Sequence, residues 1–297
     1  MKDESHAPPA PIARPQHHQE FAELLGARID GYTVIDIGAH GTGTDDVYAS
    51  ALTARDSRVI GFEPDADDCS TLNARFAPRR RYLPFAIGDG QPGSFHHCRS
   101  PLVSSLLHPD TEFVARYEGL AAPCDVIGIS PIRTMKLDDA VELDSCDFLK
   151  IDVQGASLPV LEHATRLLRG TSVVHAEVEF VPIYRGEAPF GEIDRFMTTA
   201  GFMFHHFHGI EGRRMLAGGR VVGQRVSQML WADAVYIPAF DRLAAMSPDA
   251  LCRLAWTMHT VYGAVDVAMA CLAHIPDGAP ALANDYQSIL SRHGLES

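Results

Sequence analysis

Asp36, Glu63 and Asp152 are acids placed where apolar runs end, and their surroundings suggest what they do. Asp36 sits in Val34-Ile35-Asp36-Ile37, followed at once by Gly38-Ala39-His40-Gly41-Thr42-Gly43. Glycine costs conformational entropy, so glycines crowded after an apolar run need a reason: a tight turn, or a close approach to the backbone. A turn that cradles a dinucleotide reads G-x-G-x-x-G and sets pyrophosphate against a helix N-terminus. The order here is G-x-x-G-x-G, and a carboxylate two residues before the first glycine is a poor neighbour for phosphate. It suits a ligand carrying positive charge. Glu63 closes Val59-Ile60-Gly61-Phe62-Glu63, and an acid there can accept from both ribose hydroxyls. Acid, glycine turn and second acid together fit a nucleoside joined to a cationic group without phosphates. S-adenosylmethionine has that description. Tight packing alone is the rival explanation of the glycines.

Asp152 ends "CDFLKIDVQG". A hydroxyl that accepts a methyl group must lose its proton, so a base within hydrogen-bond reach helps. Asp152 is the first candidate; capping a helix or holding the cofactor's amino group are its other possible roles. In "HAEVEF" the strand alternation puts His175, Glu177 and Glu179 on one face and Val174, Ala176 and Val178 on the other. A buried parallel strand is normally apolar on both faces. The polar face could bind acceptor hydroxyls, supply a base, or share a divalent cation with Asp152; simple exposure at a strand end would also explain it. No third ligand stands at a convincing spacing, and the 15 histidines include no HExxH, so no metal site is expected. "HHFHG" (205–209) is a weak ligand cluster because alternation separates its histidines. Ser104 and Ser105 could meet a ligand or simply form a turn.

The elements that carry these residues alternate. A short helix over Phe21–Arg28 precedes a strand at Thr33–Ile37. A helix over Asp45–Arg55, a strand over 58–64 and a helix capped by Asp65 follow. "RYLPFAIGD" reads as a third strand. Gly90–Ser130 has weak patterning and reads as a long insertion or lid. "CDFLKIDVQG", the helix "SLPVLEHATRLLRG" and "SVVHAEVEF" continue the alternation. "FGEIDRFMTTAG" is a helix, and "FMFHHFHGI" and "QMLWADAVYIP" are antiparallel edge strands. The chain after Pro238 is helical, with breaks at Pro248 and Pro276. This order predicts an α/β doubly wound sheet with a C-terminal helical extension. The expected division is a flexible tail over 1–20, a Rossmann-like domain over 21–237 and helices over 238–297. Trp256, Met258, Tyr262 and Met269 are expected in a core or an oligomer interface.

Bulk properties narrow the classes further. At 297 residues the chain can bury a large core, and its 46% apolar content is ordinary. A net charge of −13 argues against binding a phosphate backbone. No run approaches the ~18 apolar residues of a membrane span, and the Pro-rich N-terminus has no signal-peptide core. Six scattered cysteines without a CxxC pair fit a reducing cytoplasm.

"VIDIGAHGTG", "GFEPD", "FAIGD", "DFLKIDVQGASLPVLEHA" and "EVEF" resemble the FkbM-type S-adenosylmethionine-dependent methyltransferases, over about residues 30–210. "LWADAVYI" and the helices after it are similar to an extension on some bacterial members. The resemblance implies a class I methyltransferase fold and usually O-methylation of a sugar or other small-molecule hydroxyl. It implies that Asp36, Gly38, Ala39, His40 and Gly41 line the cofactor, that Glu63 holds the ribose, and that Ala86, Ile87 and Asp89 flank the adenine. Asp152 would sit near the sulfonium or the acceptor, with Glu179 and His175 as further catalytic candidates. Gln154 and Ser157 depart from the family, which more often has acids there. Two other functions compete: an NAD-type oxidoreductase, against which the glycine order speaks, and a non-catalytic methyltransferase-like module.

Overall fold

A computed structural model describes residues 15–39, 46–275 and 279–295. Helix α1 (Gln16–Leu25) turns Phe21 and Leu25 inward. A 3-10 turn, Gly26–Ile29, leads to β1 (Thr33–Ile37), every residue of which is buried. That burial follows from its place: β1 pairs in parallel with β2 (Arg58–Phe62) on one side and with a later strand on the other. Helix α2 (Ala66–Phe76) starts where Asp65 accepts from the Asp67 and Asp68 amides. The expected single third strand is two. Pro84 has no N–H to donate to a ladder, and the chain breaks there between β3 (Arg80–Leu83) and β4 (Ala86–Ile87). β3 extends the main sheet beside β2; β4 leaves it.

The weakly patterned stretch is ordered. It forms β5 (Pro92–Cys98), the short α3 (Thr111–Val114) and β6 (Val126–Met135), and β4, β6 and β5 make a small second sheet. After α4 (Leu137–Ala140), β7 (Phe148–Ile151) returns to the main sheet beside β1. The expected single helix is α5 (Ser157–Glu162) and α6 (Thr165–Arg169), followed by β8 (Val173–Glu179) and α7 (Phe190–Thr199). β9 (Phe202–Arg213) and β12 (Gln228–Pro238) are antiparallel, with the small hairpin β10 (Leu216–Ala217) and β11 (Arg220–Val221) between them. The main sheet has the order β3-β2-β1-β7-β8-β12-β9. Strand order reverses at β1, which is where an open α/β sheet holds its ligand.

Four helices complete the described chain: α8 (Phe240–Ala245), α9 (Pro248–Tyr262), α10 (Val265–Ala273) and α11 (Ala279–His293). Pro248 opens α9 and Gly263, in the left-handed region, ends it; the expected break at Pro276 lies outside the described residues. α4 to α7 cover one face of the main sheet. α1 and α9 to α11 cover the other, in one core with Val34, Val59, Phe148 and Val235. Residues 46–55 therefore form no α-helix. Their turns, and the 3-10 turn Ala51–Thr53, lie against α9, whose Trp256 indole donates to the Ala51 carbonyl at 2.9 Å. The core also fixes α9 to the sheet through Asp147, which accepts from the Thr33 amide at 2.8 Å and from Arg253 Nε at 2.8 Å. All six cysteines are free and buried.

Candidate functional site

A cavity opens beyond the carboxyl ends of β1, β2 and β7. Gly38, Glu63, Pro64, Ala86, Ile87 and Asp152 form its floor. The β5–α3 segment roofs it with Phe95, Leu102, Ser104 and Ser105. Gly38 makes the floor possible. Its φ is +79°, and a Cβ there would lie 1.8 Å from the Asp152 carbonyl oxygen. The turn after β1 is thus glycine because it crosses the end of β7, so packing accounts for Gly38 whatever the cavity holds.

Glu63 is 6% exposed. One of its oxygens accepts from the Asp65 amide at 2.9 Å, while burial raises its pKa to about 7. Asp36 lies one layer below the cavity. Its Oδ2 accepts from the Tyr48 hydroxyl at 2.6 Å; its Oδ1 makes no hydrogen bond but lies 3.4 Å from Lys150 Nζ. Burial raises the Asp36 pKa, against the pull of Lys150 and Tyr48. Lys150 also reaches Asp152 Oδ2 at 3.4 Å. Burial opposes its charge, but Asp36, Asp152 and Asp233 outweigh that and raise its pKa. The strand "FLKI" thus carries its one cation between two acids.

Gln154 links this cavity to a second. Its amide nitrogen donates to Asp152 Oδ1 at 2.7 Å and to Glu177 Oε2 at 2.8 Å. Its side-chain oxygen accepts from the Tyr184 hydroxyl at 3.2 Å, and its carbonyl from Ser105 Oγ at 2.6 Å. Its φ of +53° lies in the left-handed region, a strain that persists only where surroundings over-determine it. The second cavity is lined by Gln154, Glu177, Glu179, Tyr184, Trp231 and Leu120 among others. Glu179 is 2% exposed and its Oε2 has no hydrogen-bond partner. Burial first, then Glu187 and Asp152, raise its pKa. Burial, Asp152 and Glu179 do the same for Glu177.

Residues 36–204 match the family described as "Methyltransferase FkbM domain". The chain belongs to that family. An FkbM methyltransferase takes its methyl group from S-adenosylmethionine, and the first cavity fits that cofactor by its donor set. Its lining offers two carboxyl groups, apolar walls and two hydroxyls, and no Lys, Arg or His among the described residues. A pyrophosphate would find no cationic partner among these described residues; a nucleoside with a sulfonium meets acids. No curated protein matches the chain. Solved structures similar to this FkbM protein include magnesium protoporphyrin IX methyltransferase (ChlM) from Synechocystis PCC 6803 with bound SAM, at 9% identity and TM-score 0.35, covering 75% of this chain and 80% of that one. Precorrin-6y C5,15-methyltransferase from Geobacter metallireducens GS-15 is 12% identical with TM-score 0.34, covering 78% and 94%. A SAM-dependent methyltransferase from Aquifex aeolicus is 13% identical with TM-score 0.32, covering 74% and 89%.

The expected site residues of this methyltransferase fall into groups. Gly38, Glu63, Ala86, Ile87 and Asp152 share the first cavity; Glu179 lines the second. His40 and Gly41 lie outside the described residues. Ala39 packs with Cys69 and Leu72 beneath α2. Asp89 is exposed and holds a turn, accepting from the Gln91 amide and from Thr134 Oγ1. His175 lines neither cavity: it lies deeper along β8, with Nδ1 3.0 Å from the Tyr262 hydroxyl and Nε2 3.3 Å from Asp233. Ser157 is fully buried and donates to the Glu177 carbonyl at 2.9 Å. Lys150 and the bridging role of Gln154 were not foreseen. A lysine inside a buried apolar strand was the available signal for the first; the second depends on a long-range contact.

Proposed function

We propose that the protein O-methylates a hydroxyl of a small molecule, a sugar or a comparable polyol, held in the acid-lined second cavity beside S-adenosylmethionine. Two neighbouring cavities joined at Gln154 carry this reading, one suited to a cationic nucleoside and one to a hydroxylated acceptor. The strand order fits a class I methyltransferase, with a doubly wound Rossmann-like sheet and the cofactor at the switch point. When bound, the cofactor supplies a methyl group on sulfur that is already a strong leaving group. Most of the protein's task is then alignment. Glu63 accepts the ribose hydroxyls, the Phe85 and Phe95 side chains wall the base, and Asp152 faces the cationic end. Asp152 already accepts from Lys150 and Gln154, which suits holding charge better than taking a proton. Glu179 is the proton acceptor in this reading: it lines the acceptor cavity, one of its oxygens has no partner, and its raised pKa brings it nearer neutrality.

Isothermal titration with S-adenosylmethionine, its demethylated product and NAD tests the cofactor assignment. Binding of the first two and not of NAD is expected. Glu63→Ala should weaken binding by about 1–3 kcal/mol, the worth of hydrogen bonds to a charged group. Unchanged affinity would remove Glu63 from the site. Acceptors are then found by screening sugars and small polyols for release of the demethylated cofactor.

A further inference from the structure

We infer that His17, His18 and His259, none of which lines either methyltransferase cavity, form a binding site for an imidazole-preferring divalent metal ion, zinc foremost. They come from two elements: His17 and His18 from the first turn of α1, and His259 from the last turn of α9. One ligand nitrogen from each lies within 4.8 Å of the others. His17 Nδ1 and His259 Nε2 are 3.0 Å apart. A tetrahedral zinc ion bound at about 2.0–2.1 Å from each nitrogen spaces its ligands by about 3.3 Å. His17 and His259 are already near that spacing, and a His18 nitrogen lies within 4.8 Å of both.

The surroundings are those of a ligand set. His259 is 2% exposed, and its Nδ1 lies 2.9 Å from the Tyr286 hydroxyl on α11. A partner on one ring nitrogen orients the other, here Nε2 toward the cluster, as outer hydrogen bonds orient metal-bound histidines. Glu20, one turn along α1, accepts from His293 Nε2 at 3.1 Å and pairs with Arg292, which ties α1 to α11 beside the cluster. An ion held here would tie α1 to α9, closing the helical layer on one face of the sheet. Such an ion acts on folding, since none of its three ligands lines either methyl-transfer cavity.

The test uses full-length protein with no affinity tag, stripped by a chelator and dialysed against buffered zinc. One zinc ion per chain is expected by elemental analysis, with a higher melting temperature than the stripped protein. Cobalt in its place should show the visible absorption of a tetrahedral nitrogen-bound ion. His17→Gln and His18→Gln, at the more accessible positions, should fold like the stripped wild type and weaken zinc binding by more than the about 10–100-fold that loss of an outer hydrogen-bond partner costs. Wild-type protein free of zinc after dialysis would overturn the inference. So would a His17→Gln/His18→Gln double variant that binds zinc as tightly as wild type.

Discussion

Glu179 and Glu63 are both buried glutamates with raised pKa values, and the difference between them lies in their partners. Each accepts from backbone amides, Glu63 from Asp65 and Glu179 from its own amide and that of Gly155, but Glu179 keeps a fully buried oxygen, Oε2, with no partner. A buried carboxyl with one oxygen unpartnered is costly as an anion, which favours its protonated form. If Glu179 is the proton acceptor, turnover needs its ionised form and rises with pH above neutrality. Glu179→Gln should bind cofactor like wild type, lose about 10²–10⁴ in turnover, and flatten that rise. Asp152→Asn tests the alternative. A large loss of turnover there, with Glu179→Gln at the wild-type rate, moves the base to Asp152. Gln154 shows why the residue scale was only partly legible in the sequence. Its amide serves two acids at once, Asp152 and Glu177. Only the fold brings β8 beside the turn after β7, so no local pattern could reveal it.

The turn after β1 is the element whose sequence said most. Its acid, its glycines and the following "VIGFE" all led to the edge of the sheet where the cavity lies. Buried strands such as β1 and β7 are legible because parallel strands are apolar on both faces. Legibility failed where an element's partner is distant. Residues 46–55 have helical character, but Trp256 and its helix occupy the space beside them, so they turn instead. β5 and β6 belong to a small exposed sheet; β6 alternates half-buried and exposed residues without a strong apolar face, so its pattern was weak. Gly38 was legible as a position needing freedom, though not as one set by the Asp152 carbonyl. A left-handed φ costs a non-glycine residue about 1–2 kcal/mol, and the contact adds a clash with backbone that cannot rotate away. Gly38→Ala should therefore lower the melting temperature and weaken cofactor binding together, since moving this turn moves Asp152. A variant with wild-type melting would show that the turn and the end of β7 yield independently.

Across the whole molecule, the helices after Pro238 are part of the core that closes the sheet. The fully buried Trp256 and Met258 pack inside the chain, so these apolar positions of α9 are used within it. No helix among the described residues is long and apolar enough to cross a membrane. The same closure buries acids, and their protons link the fold to pH. Burial raises both Glu63 and Glu187 to about 7, against an ordinary glutamate value of about 4.3. Each group binds its proton more tightly folded than unfolded. The stability it contributes is complete below the ordinary value and is lost as pH rises through about 7. Asp36 and Glu179 shift in the same direction. Ligand-free protein should therefore melt at a lower temperature at about pH 8 than at about pH 5. Glu63→Gln and Glu187→Gln should each flatten that slope, because glutamine fills the site without titrating. Cofactor donating to ionised Glu63 favours the deprotonated form, so the melting increment it adds should grow as pH rises through the same interval. Melting curves at a series of pH values, with and without S-adenosylmethionine, separate the two effects. A slope of the opposite sign in ligand-free protein, or one unchanged in both glutamine variants, would show that these acids keep ordinary pKa values when folded.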